Sequence, residues 1–63
     1  MRWTIKGTVH ILRDSNVIIG RVLLRQDGWY AQWPEGGEVV EVGPFEEPND
    51  ARTHTRKYAQ NHG

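Results

Sequence analysis

Residues 17–33 read VIIGRVLLRQDGWYAQW, two runs of branched and aromatic residues joined through Asp27-Gly28. Each run has strand composition, and Asp-Gly between two such runs is a strong hairpin signal. With Asp27 and Gly28 as a two-residue turn, Gln26 lies opposite Trp29, Arg25 opposite Tyr30, Leu24 opposite Ala31, Leu23 opposite Gln32 and Val22 opposite Trp33. Opposite residues share a face of the sheet, so this hairpin sorts Val22, Leu24, Ala31 and Trp33 from Arg21, Leu23, Arg25, Tyr30 and Gln32.

The pattern extends outward in both directions. Upstream, Trp3, Ile5, Val9 and Ile11 alternate with Thr4, Lys6, Thr8 and His10, the period of a half-buried strand. Ser15 and Asn16 then turn the chain, which sets Ile11 against Gly20, His10 against Arg21, Val9 against Val22 and Lys6 against Arg25. Downstream, Gly36-Gly37 turns into a strand from Glu38 to Val42, placing Val40 opposite Trp33, Glu41 opposite Gln32 and Val42 opposite Ala31. Pro48 and Asn49-Asp50 carry helix-start signals. Ala51, Thr55, Tyr58, Ala59 and His62 make one helical stripe, with Asn61 and Gly63 as stop residues.

The fold class predicted is α+β: a four-stranded antiparallel meander with one C-terminal helix, near residues 49–61, packed on its apolar face. Residues 1–63 form a single small domain. A chain of this length buries only about 60% of its unfolded surface. It has no cysteine, hence no disulfide or thiolate metal site, so Trp3, Trp29 and Trp33 must supply much of the core. Burying each large apolar side chain contributes roughly 1.5–3 kcal/mol.

The second sheet face has no helix to cover it. The pairing above gathers there Lys6, His10, Arg21, Leu23, Arg25, Tyr30 and Gln32, the candidate partner-binding residues. It sets Lys6 opposite Arg25 and His10 opposite Arg21, a like-charge arrangement that costs stability. Leu12, Val17 and Ile19 join Leu23 toward the first-turn end, more aliphatics than a solvated face needs. Arginine, tyrosine and aliphatics together match a protein interface with a charged rim. The same arginines suit phosphate and base-edge contacts.

The formal net charge is zero, yet the charges are segregated. Residues 35–50 carry six acids and no base; residues 51–63 carry Arg52, Arg56 and Lys57 and no acid. His10, His54 and His62 lack metal-ligand spacing, and Asp50–His54 at i, i+4 reads as helix support. The only serine, Ser15, sits in a turn without an acid–base constellation. Neither catalytic residues nor a cofactor are expected. No apolar run spans a bilayer and no signal peptide opens the chain, which points to the cytoplasm, including that of a phage's host, and to no membrane partner.

The run Asp27-Gly28-Trp29-Tyr30-Ala31-Gln32-Trp33, then Gly43-Pro44-Phe45, Ala51 and Tyr58-Ala59, resembles the arm-type DNA-binding domains of phage integrases. That resemblance implies a sheet entering the DNA major groove, with Arg21, Arg25, Tyr30 and Gln32 at its contacts. In size and style the chain is similar to small inhibitor proteins of phages and mobile elements, anti-CRISPR proteins included. The first functional reading is a non-enzymatic protein-binding inhibitor or adaptor acting through the uncovered sheet face, with a homodimer as one use of its aliphatic end. The second is a nucleic-acid-binding domain using the same face.

Overall fold

The computed structural model describes residues 1–62, with side chains as far as Tyr58. Five strands precede one helix: β1 (Arg2–Lys6), β2 (Val9–Asp14), β3 (Val17–Arg25), β4 (Gly28–Glu35), β5 (Glu38–Phe45) and α1 (Pro48–His62). The strands form one antiparallel sheet in the order β1-β2-β3-β4-β5. The α+β class, the meander and the C-terminal helix are as expected. The strand count is five, not four.

The extra strand comes from Gly7-Thr8. Lys6 pairs with Val9, so those two residues are a hairpin loop, and Gly7 has φ 56°. Glycine at the first central position of a type II′ turn supplies that conformation without steric cost. The stretch that alternates as one strand is therefore two strands folded on each other.

A second departure lies in β2–β3. Asp14 pairs with Val17 and Arg13 with Ile18, the register set by Ser15-Asn16, whose φ values of 49° and 72° suit a tight hairpin turn. The register then shifts at a bulge between Leu12 and Arg13, so Leu12 pairs with Gly20, His10 with Val22 and Val9 with Leu23. One inserted residue, Ile19, reverses the face of everything beyond it in β2. His10 and Leu12, expected on the open face, lie on the helix side and are buried; Val9 and Ile11, expected in the core, lie on the open side.

The other two hairpins keep their faces. In β3–β4, Leu24 pairs with Trp29 and Arg25 with Gly28, two places from the expected register, with Gln26-Asp27 as the loop. A slip of two leaves every side chain on its own side of the sheet. In β4–β5, Trp33 pairs with Val40, Gln32 with Glu41 and Ala31 with Val42, as expected.

The core follows from these pairings. Val22, Ala31, Trp33 and Ala51 form its buried centre, with Trp3, Trp29, Val40, Val42, Phe45 and Tyr58 packed around it. Leu24, expected beneath the helix, is instead 43% exposed. The helix begins at Pro48, where a missing N–H costs nothing, and Asp50 lies in its first turn beside the positive end of the dipole. It packs over β3, β4 and the near part of β5. Small residues make the close approach: Ala51 and Thr55 on the helix are fully buried, and Gly20 on β3 lies against Thr55. Trp33 stacks on Tyr58 with centroids 4.3 Å apart, and the His54 ring sits against Trp33, Phe45 and Tyr58. No side-chain hydrogen bond or ion pair joins His54 to Asp50. The side chains of Ala59 and His62, and Gly63, lie outside the described residues.

Candidate functional site: the uncovered sheet face

The pairings arrange the open face in rows across the strands. One row runs Lys6, Val9, Leu23, Tyr30; the next runs Thr4, Ile11, Arg21, Gln32, Glu41. A third joins Arg2 to Arg13 and Ile18, with Pro34 and Val39 at the far side. Of the seven candidate residues, Lys6, Arg21, Leu23, Arg25, Tyr30 and Gln32 share this face.

His10 does not share it. Only 6% exposed, its ring lies 5.2 Å from that of Trp29 on the helix side. Its pKa is lowered, chiefly by burial and secondarily by the Arg52 guanidinium, and its Nδ1 is buried without a hydrogen-bond partner. The expected oppositions of Lys6 with Arg25 and of His10 with Arg21 are absent as well. Lys6 faces Val9, and Arg21 lies between Ile11 and Gln32. A like-charge pair at the other end of these strands, Arg2 opposite Arg13, depends on the Gly7-Thr8 turn.

The polar side chains fall into two groups. Around Glu41 they satisfy one another: Arg25 Nη2 donates to Glu41 Oε2 at 2.7 Å, and Gln32 Nε2 donates to the same oxygen. The Arg25 guanidinium lies 5.0 Å from the Tyr30 ring centroid, a cation–π contact. Tyr30 Oη donates to Asp27 Oδ2 at 2.6 Å, and that hydrogen bond is the main cause of a raised phenol pKa. Arg25–Glu41 is the only ion pair among the described residues, so Arg21 and Lys6 have no carboxylate partner there.

The apolar members centre on Arg21. Val9, Ile11 and Leu23 are half-buried beside it by packing across the strands. Next to them a shallow groove of about 240 Å³ is lined by Ile18, Arg21, Gln32, Pro34 and Val39, with Ile18 49% and Val39 63% exposed. Leu12, expected in this patch, is 1% exposed and belongs to the core, and Val17, opposite Asp14, falls on the other side of the sheet from Ile18, so the aliphatic end of this face is Ile18 with Leu23. Composition alone could have flagged Val39 and Pro34; their place beside Ile18 depends on the bulge.

Among the described residues, no group of three or more His, Cys, Asp or Glu could hold a metal ion. No helix there is long and apolar enough to cross a membrane. No family model, curated protein or solved structure matches the chain.

Proposed function

We propose that the chain is a non-enzymatic binding protein that engages another protein through its uncovered sheet face, as an inhibitor or adaptor of the phage or mobile-element type. The observation that carries this reading is the Arg21 guanidinium, without a carboxylate partner among the described residues, set among Val9, Ile11 and Leu23 and opening into the Ile18–Val39 groove. An arginine in an apolar surround is the composition of an interface anchor. The neighbouring polar cluster is internally satisfied, so docking against it needs no new partner for Arg25 or Glu41. The same pairing weakens the nucleic-acid reading. Glu41 neutralises Arg25, and phosphate would have to displace it.

Two measurements test the proposal. Affinity purification from the source cells, run in parallel with Leu23→Asp, should yield a protein captured by the parent and lost with the variant. Reconstitution from purified components should then reproduce the loss. Titration against mixed-sequence duplex and single-stranded DNA should show weak or no binding at physiological salt. Tight DNA binding with a log–log salt slope near −0.9 per neutralised phosphate would replace this reading with the nucleic-acid one. Sedimentation of the purified chain addresses a homodimer: concentration-dependent association abolished by Leu23→Asp would make a second copy the partner.

A further inference from the structure

β1 is an edge of the sheet, paired only with β2. Its outer backbone groups are a template for another strand. Both sides of this edge are basic. On the open side stand Arg2 and Lys6, with Arg13 opposite Arg2. On the helix side, Trp3 is half-buried, and a cleft of about 200 Å³ separates it from the helix, lined by Trp3, Asn49, Arg52, Thr53 and Arg56. A second hollow of about 270 Å³ continues the cleft past Trp3 to Met1, Leu12 and Arg56. The helix creates this cleft by packing over β3–β5 and leaving β1 to one side.

None of these five cations has a carboxylate partner among the described residues. Arg52 reaches only the amide oxygen of Asn49, at 3.4 Å, and its Nε is buried with no acceptor. Arg52 and Arg56 thus line the cleft with cationic groups that no carboxylate of the described residues answers.

We propose that the β1 edge, with the Trp3–Arg52–Arg56 cleft beside it, binds an extended acidic segment of another protein by strand addition. Backbone hydrogen bonds to β1 would hold the segment. Its alternate side chains would fall on the two faces, carboxylates meeting Arg2 and Lys6 on one and Arg52 and Arg56 on the other, with an apolar residue against Trp3. The charge pattern selects against a second copy of β1. Antiparallel pairing of two β1 strands about Thr4 sets Arg2 of one copy against Lys6 of the other, which is repulsive. This surface is separate from the Arg21–Leu23 face.

The probe is a fluorescein-labelled peptide of about seven residues, the length of an ordinary strand, with glutamates on both parities around a central valine. Fluorescence anisotropy should show saturable binding that weakens with salt, and hydrogen exchange should show new protection of β1 amides. Arg56→Glu and Lys6→Glu change exposed residues on opposite sides of the edge. Each should weaken binding about tenfold or more while leaving the thermal melt unchanged. Leu23→Asp should leave peptide binding intact, which keeps this test independent of the sheet-face proposal. A peptide N-methylated on alternate amides keeps its charge but cannot extend the sheet, so it should not bind. Equal binding of that peptide would overturn strand addition. So would absence of binding by the parent peptide, or tighter, Arg56-dependent binding of oligo-dT, which would assign the cleft to single-stranded nucleic acid.

Discussion

Gly20→Ala tests how the helix meets the sheet. A Cβ on Gly20 would overlap Cγ2 of Thr55 and would lie 3.5 Å from the Gln32 carbonyl oxygen. Thr55 is fully buried, and its hydroxyl donates to the Ala51 carbonyl at 2.9 Å, so its rotamer is held from both sides. The helix must therefore lift or Thr55 must turn. Overpacking of this kind costs about 1–3 kcal/mol, offset by up to ~1 kcal/mol from the stiffer unfolded chain. A net loss of about 1–2 kcal/mol should lower the melting temperature by roughly 5–15 °C in a domain this small. Thr55→Ser removes Cγ2 and keeps the hydroxyl, leaving Cβ at 3.8 Å from the new methyl, an ordinary contact. Alone, it should cost about 1 kcal/mol for the missing methyl. Combined with Gly20→Ala, it should be no worse than alone, a coupling of at least ~1 kcal/mol. Urea unfolding of the four proteins, followed by circular dichroism, closes the cycle. Additive losses in the double variant, or a Gly20→Ala melt indistinguishable from the parent, would refute this account of the helix–sheet contact.

Two further outcomes follow from the core. Trp33→Ala removes the stack on Tyr58 and the centre of the buried cluster. It should cost about 3–5 kcal/mol, much of the total stability of so short a chain, and a cooperative melt near the parental temperature would contradict the facing. Because burial and Arg52 lower the pKa of His10, the unfolded chain takes up its proton first as the pH falls. His10's contribution to stability is therefore full above about pH 7 and declines as the pH drops through ~6.5 toward the lower folded value. Melts at pH 7.5 and 5.5 should differ less in His10→Leu than in the parent, and an unchanged difference would remove His10 from the account.

The sequence carried the facing of β3, β4 and β5 because three kinds of signal agreed there. Branched and aromatic runs, Gly-rich turns and an alternation of two all placed Val22, Ala31, Trp33, Val40 and Val42 together, and even a two-residue register slip left them so. The N-terminal third was illegible for a local reason. Gly7 interrupts neither the alternation of Trp3 and Ile5 nor that of Val9 and Ile11, so one strand and two strands give the same pattern. The bulge at Ile19 leaves one ambiguous cue, Gly20 inside the strand, which the close approach of Thr55 explains equally well. It nonetheless decides that His10 and Leu12 are core and that Val9 and Ile11 are surface. Six of the seven candidate residues lie on the expected face of the sheet because five of them are on β3 and β4, and Lys6 keeps its face through the unseen turn.

The segregated charge of the sequence takes on a geometry in the fold. The acids of residues 35–50 lie on the β4–β5 turn, on β5 and at the start of the helix, while Arg2, Lys6 and Arg13 lie at the opposite edge. A molecule of zero net charge is thus basic along one sheet edge and acidic along the other. Such a molecule invites head-to-tail stacking, the β5 edge of one copy against β1 of the next, a heterologous contact that does not close. Two features of β5 oppose it. Glu41 is already held by Arg25 and Gln32, so it is not free to meet a foreign cation. Pro44 has no N–H to give to an added strand. The remaining acid within β5, Glu38, stands opposite Glu35 beside the turn, at the far end of the strand from Pro44. Within β5 itself, Glu38 is thus the one carboxylate without an ion-pair partner among the described residues. The β1 edge thus carries charge that no carboxylate of the described residues meets, and the match for it is to be sought in a partner of different sequence.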